Sequence, residues 1–264
     1  MLGLLLNWFD VAPGHEAEFD NWHNREHVPE RLGVPGFRYG RRLVSLANSP
    51  PQGHSRLVMY DGDELATFAS DEYAKRLNSP TPLTRSLVPH VRDMTRTAYE
   101  VVAGLGGGIG AFVATVRLVG SDRGWNPGSP AVAEALRQTY AADGVTAVRM
   151  ARPDPVITHF KDATAEGRQT HACSGKAYPW SLIIEASGRE DLEAAVQLAE
   201  RSSANWWAGA GLTPTSHTFR LVFALGRELP GGANTFTAAK RQHSGLAACP
   251  VLPQPDQSDP TGTV

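Results

Sequence analysis

The alternation of hydrophobic and polar positions predicts two similar series of strands and helices. In the first series, an apolar strand precedes a long helix, and a pair of strands, a second helix and a last strand follow. Their predicted ranges are strands 4–9, 37–46, 56–60 and 96–102 and helices 15–31 and 63–77, with Asp61 or Asp63 capping the second helix. The resulting order, βαββαβ, is the ferredoxin-like arrangement.

The second series repeats this order. Its predicted ranges are strands 112–119, 145–151, 180–186 and 218–223 and helices 131–140 and 187–201. The pattern therefore divides the chain into a first unit (1–103), a glycine-rich linker (104–110), a second unit (111–226) and an extended, proline-containing tail (227–264). Two unrelated α+β halves remain the alternative to a tandem repeat.

The layers of such units predict how they associate. A four-stranded sheet with two helices has one face covered, so its other face needs a partner. Two units in one chain can supply that partner to each other. We therefore expect an α+β fold in which two tandem ferredoxin-like units pack sheet to sheet as an intrachain α/β barrel, an internal pseudo-dimer. Association of two chains into a homodimer also remains open.

Composition restricts the partners. The 264 residues include 25 Lys and Arg and 27 Asp and Glu, which gives a net charge of −2. The chain as a whole therefore has no strong electrostatic attraction for nucleic acid or an anionic membrane. No apolar run approaches the roughly 20 residues of a membrane-spanning helix. The apolar start, residues 1–6, has no basic residue, which argues against a secretory signal. With only Cys173 and Cys249, a reducing cytoplasm is expected.

The first long helix has an unusual inward face. At about 100° per residue, six residues lie within one arc of roughly 140°. They are Phe19, Trp22, His23, Glu26, His27 and Glu30. Because a polar group facing the sheet must find a partner or lose about 1–3 kcal/mol, this face predicts a pocket. Pro29 should distort the helix beside it. Alternatively, the arc straddles the edge of the face, with His23 and Glu26 solvated and His27 an ordinary core residue.

The residue types in this arc suggest acid–base chemistry. His27 is the candidate catalytic group because the ordinary pKa of histidine, about 6.5, lets it gain or lose a proton near neutrality. His23 or Glu26 would orient it, and Trp22 would pack on a substrate. Five further residues are candidates for the pocket wall: Asn7, Tyr60, Tyr73, His90 and Tyr99.

This helix and the strand after it also carry a family resemblance. Residues 19–32, then Val34-Pro35-Gly36-Phe37 and Arg41-Arg42, resemble the dimeric α/β barrel superfamily, nearest the EthD-like proteins and the relatives of antibiotic-biosynthesis monooxygenases. The resemblance covers residues 4–102 and is only topological over 110–225. It implies a barrel of two ferredoxin-like sheets with a pocket in each unit. It also implies that His27 and Trp22 are pocket residues.

The second unit departs from the pattern of the first. Its corresponding helix, 131–140, contains no histidine, so we expect one working pocket per chain and a degenerate second site. The second unit would then serve as the built-in barrel partner. Its insertion, residues 153–179, carries His159, His171 and Cys173 and is either a lid or an ordinary surface loop.

Two short motifs suggest other chemistry. His23-Asn24-Arg25-Glu26-His27 fits the H-x-x-E-H pattern of inverted zinc proteases, but no distal glutamate-bearing helix completes it. A simple divalent-metal site at the two histidines is a further alternative. The stretch 106–111 fits G-x-G-x-x-A, yet a strand follows where a dinucleotide site needs a helix. We therefore expect no metal and no cofactor.

The resemblance and the helix face together support one leading hypothesis. The superfamily includes cofactor-free oxygenases, lactone isomerases, polyketide cyclases, dehalogenating enzymes and haem proteins. We therefore expect a cofactor-independent enzyme that acts on a compact apolar small molecule, aromatic or polyketide-like, as a lyase, isomerase, cyclase or monooxygenase. A non-catalytic binding or assembly protein and a haem-binding barrel are the alternatives.

Overall fold

A computed structural model describes residues 2–46, 54–120, 126–169 and 178–227. Two predicted features lie outside these residues: the tail that follows Arg227, and the His171 and Cys173 of the insertion. Among the described residues, no helix combines the length and the apolar character that a membrane crossing requires.

The described chain contains eight strands. Four belong to each half: β1 (Gly3–Val11), β2 (Phe37–Ser45), β3 (Arg56–Gly62) and β4 (Val91–Gly106), then β5 (Phe112–Gly120), β6 (Val145–Asp154), β7 (Trp180–Ala186) and β8 (Leu212–Gly226). The α-helices are α1 (Glu16–Trp22), α2 (Val28–Leu32), α3 (Asp71–Asn78), α4 (Pro82–Leu87), α5 (Pro130–Tyr140), α6 (Pro155–His159), α7 (Ala165–Gln169) and α8 (Arg189–Gly209). A π-helical turn (His23–His27) joins α1 to α2.

The strands form a closed antiparallel barrel. Their order around it is β1-β3-β2-β8-β5-β7-β6-β4. Each half contributes four neighbouring strands with the ferredoxin-like order, β4-β1-β3-β2 and β8-β5-β7-β6. The halves join edge to edge, at β2–β8 and at β4–β6. Closure leaves none of the eight described strands with an unpaired edge. The predicted α+β barrel within one chain is confirmed.

The last strand of each half makes both joins and is much longer than the sequence pattern predicts. β4 pairs with β1 at its start and with β6 from Ala98 to Gly106. The predicted linker is therefore wrong at its beginning, since residues 104–106 belong to this strand. Gly106 has a φ of 74°, and a Cβ there would clash with the carbonyl oxygen of Thr146. Glycine is thus required for close approach of the strands rather than for a flexible connection.

The second helix of the first half is shorter than predicted. The chain after β3 forms a 3₁₀ turn (Leu65–Ala69) and then α3, so the helix is not continuous over 63–77. Ser70, in an extended conformation, caps α3 by accepting a hydrogen bond from the Tyr73 N–H. Asp61, one of the predicted caps, instead forms ion pairs with Arg41 and Arg149.

Strand pleating sorts the side chains onto two faces. On β1, Leu5 and Phe9 point outward and pack with the helices of the first half. Leu6 and Trp8 point inward and pack with Tyr99 inside the barrel. The helices of the second half cover its own outer face with a separate apolar cluster. The space between outer sheet face and helices is therefore where a pocket can form in either half.

Candidate functional site

A small cavity lies between the outer face of the first sheet and the helix that follows β1. Its volume is about 40 Å³, which accommodates a few water molecules. By surface area, most of the wall is apolar, although only six of its thirteen residues are apolar. These apolar residues are Phe9, Phe19, Val58, Val88, Val91 and Met94. Nitrogen- or oxygen-bearing side chains complete it: Asn7, Trp22, His23, His27, Tyr60, Lys161 and Glu166.

The π-helical turn shapes the helical wall of this cavity. The Val28 N–H donates to the carbonyl oxygen of His23, five residues earlier, rather than to the residue four earlier. Residues five apart therefore lie on neighbouring turns, and the rings of Trp22 and His27 have centroids 4.5 Å apart. Pro29 follows immediately, as expected for a residue that removes a backbone donor. Such turns are frequent at functional sites.

Both histidines of the turn are held neutral. His23 is 3% exposed, and burial, followed by the charge of Arg42, lowers its pKa to about 3. For His27, burial and then the charge of Arg31 lower the pKa well below its ordinary value. At neutral pH each ring is therefore an uncharged imidazole with one donor and one acceptor nitrogen. The two ring centroids are 5.2 Å apart.

Four polar atoms of the wall lack a protein partner. They are Nε1 of Trp22, Nδ1 of His23, Nδ1 of His27 and Oη of Tyr60, and none is hydrogen-bonded to any described residue. Each such atom costs about 1–3 kcal/mol when it is buried unpaired. Burial also raises the pKa of the Tyr60 phenol far above its usual range, so this group remains a donor. The wall is thus suited to a ligand that has polar atoms of its own.

The roof of the cavity comes from the other half of the chain. We use the term roof for residues 155–169, which lie within the predicted insertion (153–179) between β6 and β7. Lys161 and Glu166 of the roof face the cavity. Glu166 is 2% exposed; one of its oxygens accepts a hydrogen bond from Arg31, and the other lies 2.9 Å from Nζ of Lys161. Burial alone would raise the pKa of Glu166, but these two cations lower it below its ordinary range.

Other contacts fasten the roof to the first half. The Ala98 N–H donates to Oγ1 of Thr158 at 2.9 Å, and the Ala165 N–H donates to Oδ1 of Asn78 at 3.0 Å. Ile157 packs against the apolar cluster beneath. The insertion therefore covers the first pocket rather than extending into solvent.

Five of the predicted residues come together at the cavity, and one predicted catalytic residue does not. Asn7, Trp22, His23, His27 and Tyr60 all line it. Glu26 is absent from the wall, and its carboxylate accepts a hydrogen bond from the hydroxyl of Thr81, at the start of α4. The expectation that Glu26 orients His27 is therefore wrong.

Three further predicted wall residues also lie elsewhere. Tyr73 is buried against Phe37, with ring centroids 5.2 Å apart. His90 stacks on His15 at 3.6 Å. Tyr99 points into the barrel because it occupies an inward position of β4.

No sequence pattern indicated that three charged residues belong to this site. Arg31, Lys161 and Glu166 form one ion cluster, although 135 residues separate Arg31 from Glu166. The length of the insertion was the sole indication that the second half contributes to the first pocket. Its His159, the one described member of the three predicted lid residues, is half exposed and pairs with Asp162 at 2.7 Å.

The two histidines do not form a recognisable metal centre. Within the described ranges, no group of three or more His, Cys, Asp or Glu side chains could hold an ion. Glu26, which the H-x-x-E-H reading needs beside a metal-bound water, contacts Thr81 instead. The described residues at this cavity therefore do not provide a three-ligand metal site.

Solved structures share this fold. A proposed monooxygenase from Fusobacterium nucleatum has a TM-score of 0.56 and 8% identity, over 86% of this chain and 94% of that one. An anthrone oxidase-like protein has a TM-score of 0.51 and 12% identity, over 86% and 94%. A proposed monooxygenase from Lactobacillus acidophilus has a TM-score of 0.52 and 6% identity, over 86% and 96%. The chain has a dimeric α/β barrel fold. At these identities the likeness concerns the fold alone.

Sequence comparison adds nothing to this likeness. No protein-family model matches the chain, and no curated protein is significantly similar to it.

Proposed function

We propose that the cavity binds a compact, largely apolar small molecule and that the neutral imidazole of His27 removes a proton from its acidic C–H or O–H group. One observation supports this proposal above the others: two neutral histidines, Trp22 and Tyr60 place four unpartnered polar atoms on a roofed wall whose surface is mostly apolar. Apolar pockets with a few convergent polar groups and perturbed pKa values are characteristic of binding and catalytic sites.

The surrounding charges favour the products of such a step. Proton transfer from a neutral acid to a neutral imidazole creates an anion and an imidazolium side by side. The carboxylate of Glu166 stabilises the imidazolium, while Lys161, which lines the cavity, stabilises the anion. The hydroxyl of Tyr60 can donate to an oxygen on which negative charge develops. The low pKa of His27 makes it a weak base alone, and an anion formed beside it raises its affinity for the proton.

The size of the cavity requires movement of its walls. Its volume of about 40 Å³ is well below the roughly 300–1,000 Å³ typical of ligand pockets. The sheet and the long helix belong to the framework of the first half, whereas the roof consists of short helices inserted from the second half. We assign the movement to the roof.

The type of reaction that follows proton transfer depends on how the substrate anion reacts. For a hydroxyarene or anthrone, the carbanion can react with O₂ directly, so the protein needs to supply only the base and the shelter. An anthrone would lose two hydrogens and gain one oxygen atom to give the quinone, while the other oxygen atom leaves as water. The anthrone oxidase-like neighbour makes this the first reaction to test. Isomerisation, elimination and cyclisation begin with the same step.

The test follows deuterium incorporation into anthrone. With the wild-type protein in oxygen-free D₂O, exchange at the acidic methylene group, followed by ¹H NMR, should be faster than in buffer or with an equal mass of serum albumin. In air, oxygen uptake should accompany quinone formation. Binding of anthrone without accelerated exchange would favour a non-catalytic binding protein. The absence of both would contradict the proposal for this substrate class.

A further inference from the structure

The charges around the two histidines have an excess of cations. On the His27 side, Arg31 and Lys161 share the single carboxylate of Glu166. Glu30 also lies 3.6 Å from Arg31, but its other oxygen is 3.9 Å from Arg76, so it too is shared between two cations. In these ion pairs, three cations (Arg31, Lys161 and Arg76) share two carboxylates.

The same imbalance is found on the His23 side. Arg42 and Arg56 both pair with Oδ1 of Asp20, at 2.8 and 2.7 Å. By contrast, a second ion cluster has equal numbers of positive and negative groups. It consists of Arg41, Arg149, Asp61 and Glu185. Cations therefore outnumber carboxylates in the ion pairs beside both histidines, unlike in that cluster.

Lys161 is the cation that lines the cavity. Its Nζ lies 2.9 Å from Glu166, and its side chain is 12% exposed. An ammonium group has three donors, and Glu166 is the one carboxylate that pairs with it among the residues described. The neighbouring imidazoles are neutral, so they add no charge to either side. In an apolar wall, an ammonium with donors to spare attracts an anionic oxygen strongly.

From this arrangement we propose that the ligand of the cavity carries an ionised oxygen group, and that Lys161 of the roof recognises it. The inference rests on the proposed function for the location of the binding site, and it narrows the substrate class to small aromatic molecules that carry an ionised oxygen besides the C–H or O–H group that gives up its proton. It also gives the second half of the chain a direct role in recognition, because Lys161 belongs to the roof. A ligand held by Lys161 would lie between the roof and the histidine wall.

The test compares two probes of matched shape. Benzoate and benzamide differ in charge but hardly in size, and their dissociation constants can be measured by NMR titration. The wild-type protein should bind benzoate at least tenfold more tightly than benzamide. K161M should reduce this preference below threefold, K161R should retain it, and K75M, which removes an exposed lysine of α3, should leave it unchanged.

Two results would overturn the inference, and neither depends on catalysis. One is equal affinity of the wild-type protein for both probes, which needs no variant and therefore no assumption about folding. The other is an unchanged preference in K161M. His27→Gln separates the two proposals: if it stops proton exchange while the benzoate preference persists, both stand. If it leaves exchange unchanged while K161M abolishes the preference, the base assignment fails and the recognition by Lys161 stands.

Discussion

Glu166→Ala is expected to lower the free energy of unfolding by about 3–5 kcal/mol, the usual cost of removing one partner from a buried ion pair. The Arg31 side chain is 2% exposed and depends on Glu166 for its close carboxylate, since Glu30 lies 3.6 Å away. The substitution leaves the guanidinium buried and Lys161 without its carboxylate. Chemical denaturation measured by circular dichroism gives the free energy.

A matched control tests whether burial causes this loss. Glu193 pairs with Arg189 on the surface of α8, and both side chains are about half exposed. Glu193→Ala should therefore change the free energy of unfolding by no more than about 0.5 kcal/mol. Glu166→Gln should lie between the two, because the amide retains a hydrogen-bond acceptor but not the charge. A loss below about 1 kcal/mol in Glu166→Ala would show that the roof does not depend on this ion cluster.

His27→Gln is expected to slow proton exchange of anthrone by about 10²–10⁴-fold, the range attributed to a general acid–base group. Glutamine retains polar atoms near the cavity but cannot accept a proton at neutral pH. The measurement is the deuterium incorporation rate under argon, at saturating anthrone, so that weaker binding is not mistaken for slower chemistry.

A second histidine substitution serves as the control. His54 is followed by β3, and its Nδ1 lies 3.7 Å from Asp10, away from the cavity wall. His54→Gln should leave the exchange rate within about twofold of wild type. Equal rates in His27→Gln and His54→Gln would exclude His27 as the base even if the protein accelerates exchange.

The barrel was predictable from sequence because its strands and helices have distinct periods. Alternation in β1 and the helical period over residues 15–31 identify the elements, and the unpaired faces of two sheets require closure. The length of β4 was not predictable, since residues 104–106 include two glycines, which normally weaken a strand. Only the contact with β6 explains them, and that contact depends on tertiary structure.

The histidine wall was predictable in part. Helical spacing correctly placed Trp22, His23 and His27 on one inward surface. It wrongly included Glu26, because regular 100° steps do not describe a π-helical turn, in which residues five apart become neighbours. Tyr99 was wrongly included for a simpler reason: a strand alternates its faces, and the register of β4 directs this ring into the barrel.

Local sequence patterns could not predict the contacts of the roof with the first half. Lys161 and Glu166 follow no helical or strand period that points toward residue 31, and their pairing with the first half is purely tertiary. The length of the insertion indicated a covering segment but not which pocket it covers. Charge complementarity with Arg31 becomes visible only once the barrel brings the two halves together.

The imidazole ¹⁵N chemical shifts of His27 test the central claim most directly, namely that a neutral ring lies beside a sheltered cavity. Because its pKa is lowered by burial and then by Arg31, the ring should remain uncharged as the pH falls from 7.5 to 5, whereas an ordinary histidine gains its proton near 6.5. The His27→Gln spectrum identifies the signal. A constant neutral shift across this range is predicted, and a titration midpoint near 6.5 would contradict the account.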